Sequence, residues 1–322
     1  SYRPLFKQNF GAYRRYKDYS YQLIKQDHPD WPMPQIKDEA ERQWNEASKK
    51  LWGGTLLTAR SILKNNQGFG YYHFPQCFGY NFKTNMCNTA EANNEMRWLW
   101  QSSSALFPSI YFYHSQPNVT RRREYVYGNI VESIRCREYA GKPHMPIYPY
   151  SKYNVRLHPT TLYTMVDLIN SIGQVADLGA EGIVLWGDNW SQTNRSRCQE
   201  TKNYMDHLLG PYVAAVKQFV QKCSAALCSK NGRCYTTDPS RALDETIFNT
   251  AVTMLKSKFV LSIFSAEEPQ AKNDMKILAL SYVGRVATNQ FNAKHTDKFL
   301  TADLYQCRCV EGYSGDKCQN KV

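Results

Sequence analysis

The sequence contains no long hydrophobic run. Stretches such as KFVLSIF are much shorter than the roughly 20 apolar residues of a membrane-spanning helix, and charged residues flank them. No Gly-rich phosphate-binding loop follows any predicted strand, which argues against a nucleotide-binding sheet. Clusters of Lys and Arg are also lacking apart from the RRR run at 121–123, so we expect neither a membrane span nor a nucleic-acid partner.

The sequence opens at Ser1 with no initiator Met, basic segment, apolar segment or cleavage site, so no export signal is visible in it. Acidic residues are outnumbered, with 28 Asp and Glu against 40 Lys and Arg, which gives a net charge of +12. Such a charge predicts attraction to polyanions. It does not by itself distinguish nucleic acid, anionic lipid and acidic polysaccharide, and a scattered basic surface explains it equally well.

Ten cysteines are present, and six of them lie in two clusters, CSAALCSKNGRC and CRCVEGYSGDKC. The second cluster is similar to the end of an epidermal-growth-factor-like (EGF-like) module, which implies the pairs Cys223–Cys234, Cys228–Cys307 and Cys309–Cys318 and an oxidising compartment. Paired C-x-x-C knuckles and interleaved His are lacking, so no metal is expected, and no cofactor either. Asn118, Asn189 and Asn194 begin glycosylation sequons, which agrees with export.

Helical and strand-like segments alternate along the first two thirds of the chain. Amphipathic spacing predicts helices from Asp38 to about Asn65 and from Thr160 to about Leu178, and apolar runs such as SIYFYH and GIVLWGD are typical of buried strands. This order indicates an α/β fold with a parallel sheet covered by helices. An open sheet and a closed barrel share the pattern, but a TIM-like barrel whose first units are missing fits it better.

Chemistry in such a barrel gathers at the carboxyl ends of the strands. The residues there are mostly aromatic, and they are Tyr71, Tyr72, His73, Ser109, Tyr111, Tyr113, Tyr148, Tyr150, Trp186, Asp188 and Trp190. Aromatic rings present a flat apolar face to a sugar, and a Tyr hydroxyl reaches its polar rim. The sequence therefore predicts a carbohydrate-binding cleft, although any single ring could instead belong to the core.

Five motifs occur together in one order: HPDWP, GFGYYHFPQC, WLWQSSSALFPSIY, GIVLWGD and LGPY, followed by the late Cys clusters. In this respect the chain resembles the hyaluronidase family of glycoside hydrolases along almost its whole length. The resemblance implies a distorted (β/α) barrel of about seven strands over residues 1–220. It also implies an EGF-like module over 221–322 with a long insertion between Cys234 and Cys307.

The resemblance also assigns roles to residues. It implies that Tyr72 and Tyr111 position the N-acetylglucosamine ring and acetamide, that Trp186 walls the acetamide pocket, and that Tyr150 lies in the cleft. Arg3 is expected to face a polyanion. The family's general acid is the Glu of an Asp-x-Glu motif. The residues SYRP match those that follow this motif in the family, so the resemblance implies that the Glu stands immediately before Ser1. As substitute acids we consider Glu132, expected to be solvated on a helix, and Asp188.

The family disulfide pattern implies a further pair, Cys77–Cys87, and leaves the fate of Cys136 and Cys198 open. One departure stands out, because SKYNVR places Asn154 and Arg156 where vertebrate members tend to carry an Asp.

The activity implied by the resemblance is that of a secreted endo-β-N-acetylhexosaminidase. It would cut hyaluronan, with chondroitin as a side substrate, by a retaining, substrate-assisted mechanism. The alternative is a non-catalytic hyaluronan-binding or adhesion protein on the same fold.

Overall fold

The structure is a computed structural model of the 322-residue chain, and it describes residues 6–8, 11–63, 67–113, 119–187, 193–236 and 305–322. Arg3, Asn118, Asp188, Asn189 and Trp190 lie outside the described residues, as does most of the predicted insertion. The chain divides into two compact units. The first comprises Ser1–Pro108 and Glu132–Pro146, and the second comprises Ser109–Val131 and Ile147–Val322.

The first unit is mainly helical. A 3-10 helix, Gly11–Tyr16, leads into α1 (Lys17–Asp27) and α2 (Met33–Ile62), and the HPDWP motif forms the turn between the two α-helices. Ile24, Ile36 and Ala40 pack together as the core of this helical pair. Helix α2 begins five residues before the predicted start at Asp38 and continues through Gly53 and Gly54. Gly53 faces the Trp98 ring, and a Cβ atom there would make an ordinary van der Waals contact with it.

Shorter elements complete the first unit. A small hairpin of β1 (Tyr80–Asn81) and β2 (Met86–Cys87) precedes α3 (Ala90–Asn94) and α4 (Arg97–Ser102). Helix α5 (Val119–Tyr139) spans the boundary between the two units along the chain. The predicted strand GFGYYHFP is not a regular strand, since it contributes one bridge, from Tyr72 to Phe107.

The second unit contains the parallel strands. β3 (Tyr150–Lys152) pairs in parallel with β6 (Val184–Trp186), and β4 (Asn154–Val155) forms an antiparallel hairpin with β5 (His158–Leu162). α6 (Met165–Leu168), a π-helical turn Ile169–Gly173 and α7 (Gln174–Asp177) form one helical segment, which ends at Gly179 in the left-handed conformation. The expectation that this helix starts at Thr160 was wrong, because Thr160 and Thr161 lie within strand β5.

The C-terminal part of the second unit follows a long helical segment. α8 (Arg195–Tyr204), a π-helical turn Met205–Leu209 and α9 (Gly210–Leu227) are contiguous. β7 (Gly232–Thr236) then pairs antiparallel with β8 (Tyr305–Cys309), and β9 (Tyr313–Ser314) pairs with β10 (Asn320–Lys321). The Arg233 guanidinium donates hydrogen bonds to the Ala180 and Glu181 carbonyl oxygens, which joins β7 to the segment leading into β6.

Four disulfides are present: Cys77–Cys87, Cys223–Cys234, Cys228–Cys307 and Cys309–Cys318. They are the same four pairs that the resemblance implies. The remaining two cysteines are free thiols, Cys136 buried in α5 and Cys198 exposed on α8. Burial raises the pKa of the Cys136 thiol well above its usual value, and the neighbouring Glu132 carboxylate adds to the effect.

Candidate active site at the strand ends of the second unit

The segment Ser109–Tyr113 lies beside β3 and carries Tyr111. The Ile110 N–H donates to the Tyr150 carbonyl oxygen at 2.9 Å, and further along the Arg156 N–H donates to the Phe112 carbonyl oxygen at 2.8 Å. Ser109 and Tyr150, and likewise Tyr113 and Arg156, form isolated parallel bridges. These bonds fix the predicted strand SIYFYH in parallel with the chain that follows it, although no continuous ladder forms.

Strand β6 brings Trp186 to the other side of β3. In the parallel register Tyr150 lies opposite Val184, and Lys152 lies opposite Trp186. Because paired residues of neighbouring strands point to the same face, the side chains of Lys152 and Trp186 share one face of this two-stranded sheet. Trp186 is the last residue of its strand and is 54% exposed, so its ring is available to a ligand.

Gly187 follows Trp186 in a position that a larger residue would disturb. A Cβ atom there would come within 3.0–3.1 Å of the ring and hydroxyl of Tyr153, which is itself buried. A larger residue at position 187 would therefore require the Tyr153 ring to shift by a few tenths of an ångström. This close contact gives Gly187 a structural reason at the end of β6.

A buried lysine lies against the Tyr111 ring. Lys152 Nζ is 6.0 Å from the centre of that ring, and both residues are largely buried, with 7% and 5% exposure. A cation at this distance is attracted to the face of an aromatic ring. Sequence analysis did not select Lys152; the signal available was a single charged residue inside the aromatic run IYPYSKY.

A second cation lies against a second tyrosine of the same segment. The Arg156 guanidinium carbon is 5.1 Å from the centre of the Tyr113 ring, and Nη1 donates a hydrogen bond to the Tyr113 hydroxyl at 2.5 Å. Arg156 is half-buried and directly follows β4. Two tyrosine–cation pairs, Tyr111 with Lys152 and Tyr113 with Arg156, therefore lie along one edge of the second unit.

Tyr163 supports the Tyr111 segment from the protein interior. Its hydroxyl accepts a hydrogen bond from the Phe112 N–H at 2.9 Å, its ring lies 5.0 Å from the Phe112 ring, and the Tyr204 hydroxyl donates to its carbonyl oxygen at 2.9 Å. Burial raises the pKa of both Tyr163 and Tyr204 far above the ordinary tyrosine value. Sequence analysis missed Tyr163, because it falls in the segment wrongly assigned to a helix.

Arg122 and Asp167 form an ion pair behind the same segment. The Arg122 Nη1 atom is 2.6 Å from an Asp167 carboxylate oxygen, and the guanidinium lies 5.4 Å from the centre of the Phe112 ring. The other Asp167 oxygen accepts hydrogen bonds from the Thr164 N–H and hydroxyl. The Asp167 carboxylate is thus fully engaged in holding α5 against the start of α6.

Tyr72 belongs to the first unit. It is 45% exposed, and it bridges to Phe107, while the His73 N–H donates to the Phe107 carbonyl oxygen at 2.9 Å. Nearby, Gly70 lies so close to the Ala105 carbonyl oxygen that a Cβ atom would collide with it. The GFGYYHFP motif therefore positions an exposed tyrosine through backbone contacts that require glycine.

Glu132 is not the solvated carboxylate that we expected. It is 1% exposed, both its oxygens accept hydrogen bonds from Arg135, and Asn93 Nδ2 donates to it at 2.6 Å. Helix α5 presents this residue to the interior of the first unit, where the two arginine bonds and the amide compensate for its desolvation. A carboxylate so fully bonded serves the packing of α5 against α3.

Of the three predicted glycosylation sites, Asn194 is described. It is exposed and caps α8, since its side-chain oxygen accepts a hydrogen bond from the Arg197 N–H at 3.0 Å.

Within the part of the chain that the structure describes, no group of three His, Cys, Asp or Glu side chains has an arrangement that would hold a metal ion. A search of the helices over the same residues finds none that is long and apolar enough to cross a membrane.

Comparisons with known proteins agree on one family. The family model described as Hyaluronidase matches residues 1–322. Hyaluronidase-1 of Sus scrofa is 31% identical over 330 residues, which cover 100% of this chain and 69% of that protein. Hyaluronidase-2 of Homo sapiens is 30% identical over 328 residues, which cover 99% of this chain and 64% of that protein.

Solved structures give the same result. Monoclinic crystals of bee venom hyaluronidase show a chain that is 28% identical, with a TM-score of 0.56 and coverage of 66% of this chain and 68% of that one. Bee venom hyaluronidase in complex with a hyaluronic acid tetramer matches with a TM-score of 0.57 and 27% identity, over 66% of each chain. This chain, with its mixed helices and strands and its strand-end aromatic residues, belongs to the hyaluronidase family.

Proposed function

We propose that the protein is an endo-β-N-acetylhexosaminidase that hydrolyses hyaluronan by a retaining, substrate-assisted mechanism. The observation that carries the proposal is the placement of Tyr111, Tyr150 and Trp186 on three adjacent segments of one sheet edge. Family membership supports a hydrolase, and the bee venom relative bound to a hyaluronic acid tetramer supports this substrate. The alternative of a non-catalytic binding protein is not favoured.

In this mechanism the acetamide oxygen of the substrate attacks the anomeric carbon while a general acid protonates the leaving oxygen. Tyr111 would hold the acetamide through its hydroxyl, and the exposed Trp186 ring would form the wall against which the acetamide methyl packs. The Lys152 charge beside the Tyr111 ring favours hydrogen-bond donation by that hydroxyl. The resemblance assigns the proton donor to the Glu of an Asp-x-Glu motif, with Tyr72 and Tyr150 contacting the sugar ring and Arg3 the polyanion.

The fold that we infer is a distorted (β/α) barrel over residues 1–220, followed by an EGF-like module over 221–322. The parallel pairing of β3 with β6 and the likeness to bee venom hyaluronidase support the barrel. The three disulfides formed by the cysteines between positions 223 and 318 support the module and, with the sequons, an extracellular location. The substrate is a polyanion, which suits a net charge of +12.

Tyr111→Phe tests the proposal in the longest natural form of the protein. Because the hydroxyl acts on an acetamide that becomes a nucleophile in the transition state, we expect kcat on hyaluronan to fall by roughly 10²-fold, with a smaller change in KM. Tyr139→Phe is the matched control, since it removes an exposed hydroxyl from α5. Hyaluronan size analysis and initial rates give the readout. Binding of hyaluronan with no depolymerisation by the wild-type protein would favour the adhesion alternative.

A further inference from the structure

We propose that Arg156 binds the carboxylate of the acidic sugar that alternates with the N-acetyl sugar in the substrate. This inference rests on the proposed function and names a specificity-determining residue of the same site. The ligand chemistry is that of a hexuronate, which carries one carboxylate in each disaccharide of the polymer. Arg156 thereby sets the preference of the site for an acidic rather than a neutral polysaccharide.

The backbone holds Arg156 at the edge of the site. Its N–H is bonded to the Phe112 carbonyl oxygen, and Val155 pairs with His158, so Arg156 and Leu157 form a two-residue turn between β4 and β5. Leu157 has a φ of 68° and is 82% exposed. A leucine rarely takes the left-handed conformation or exposes so much apolar surface, and such features cluster where a ligand contacts the chain.

Arg156 differs in its charge partners from Arg122 and Arg135. Within the described ranges no carboxylate forms an ion pair with Arg156, whereas Arg122 is paired with Asp167 and Arg135 with Glu132. Its one side-chain hydrogen bond uses Nη1 and goes to the neutral Tyr113 hydroxyl. A guanidinium has five N–H donors in a planar fork, so donors remain for a carboxylate.

Tyr113 restricts the guanidinium to one orientation. The ring lies under the cation at 5.1 Å and the hydroxyl fixes one nitrogen, so little side-chain freedom is left to lose when a ligand binds. A half-buried, oriented arginine binds a carboxylate more strongly than a freely moving surface arginine does.

The spacing along the strand matches an alternating polymer. Tyr113 lies two residues beyond Tyr111 on the same segment, a distance of about 6.6 Å in extended chain, and Arg156 bridges to Tyr113. This distance is of the order of one sugar ring. If Tyr111 and Trp186 hold an N-acetyl sugar, the adjacent acidic sugar reaches Arg156, and the exposed Leu157 offers an apolar surface beside it.

The test compares hyaluronan with carboxyl-reduced hyaluronan, in which each hexuronate is converted to a neutral hexose. Initial rates on the longest natural form of the protein give kcat/KM for both polymers. We expect Arg156→Gln to lower the ratio of kcat/KM for hyaluronan to kcat/KM for the reduced polymer by about tenfold. This factor is the smallest effect expected from the loss of a hydrogen bond to a charged group. Arg156→Lys keeps the positive charge but loses the planar guanidinium with its paired N–H donors, so the ratio of the two kcat/KM values should fall less in this variant.

Controls separate charge recognition from folding and from long-range attraction. Lys317→Gln removes one exposed positive charge from the C-terminal segment and should keep the wild-type ratio. Thermal melts show whether each variant is folded, and if Arg156→Gln is not, Arg156→Lys decides the test. An unchanged ratio in the folded variants, or an equal loss on both polymers, overturns the inference while hyaluronan hydrolysis stands. A wild-type protein that cleaves neither polymer overturns the proposed function and the inference together.

Discussion

Replacing Tyr163 with Phe removes one buried hydroxyl and leaves the aromatic ring in place. That hydroxyl accepts the Phe112 N–H at 2.9 Å, and Tyr163 and Phe112 are 1% and 0% exposed. The ring contact with Phe112 at 5.0 Å remains in the variant, so no cavity is created. The substitution therefore removes the acceptor of one buried backbone donor, together with the interaction of the hydroxyl with the Ser151 side chain.

The expected cost follows from the burial of that donor. A buried N–H that loses its partner costs its desolvation energy, about 1–3 kcal/mol of the free energy of unfolding. Because Phe112 adjoins Tyr111, the segment that carries the hydroxyl proposed to hold the acetamide should shift or loosen as well. We expect kcat on hyaluronan to fall in addition to stability, and the loss of both is the signature of a residue that supports the site.

Urea unfolding followed by circular dichroism gives the stability change, and initial rates give kcat. The control is Tyr139→Phe, because Tyr139 is 44% exposed and its recorded contacts with Arg97 and Arg135 use the ring rather than the hydroxyl. This control should stay within about 0.5 kcal/mol of the wild type. A Tyr163→Phe protein equally close to the wild type would refute the reasoning, since it would show that the Phe112 N–H does not depend on that hydroxyl.

Further predictions concern other residues. Trp186→Ala should raise KM and lower kcat with little change in the melting temperature, because the ring is 54% exposed; a large loss of stability would instead make it a structural residue. Glu132→Gln should lower the free energy of unfolding by about 1–3 kcal/mol, measured by urea denaturation, because it leaves the half-buried Arg135 without its counter-charge. In the 322-residue chain a thiol reagent should label Cys198 rapidly and the buried Cys136 only after denaturation, and labelling of both in the native state would contradict the described burial. The free energy of unfolding should fall as the pH rises above about 10, because burial raises the pKa of Tyr163 and Tyr204 in the folded protein. Their contribution to stability is complete below the pKa of tyrosine in the unfolded chain and is lost as the pH approaches the pKa in the folded protein. Tyr204→Phe should flatten this fall in urea titrations repeated across the pH range.

Helices and disulfides followed from local patterns. Apolar spacing predicted α2, and the motif resemblance implied the four cysteine pairs that the structure contains. Local patterns failed where pairing decided the conformation. Thr160 and Thr161 continued an apparent helical period toward Leu178, but both lie in strand β5 of the hairpin with β4. Glu132 was misjudged for a related reason, since helical position alone does not show which face is buried.

Candidate site residues divide in the same way. The sequence by itself determined which chemical groups are available: an aromatic set at strand ends, a basic charge, and motifs that identify the family, because these depend only on residue type and order. Tertiary structure alone decided that Lys152 lies against Tyr111, that Arg156 lies on Tyr113, and that Tyr163 accepts the Phe112 N–H. Those contacts join residues 41, 43 and 51 positions apart, and only the folded arrangement of separate segments brings them together.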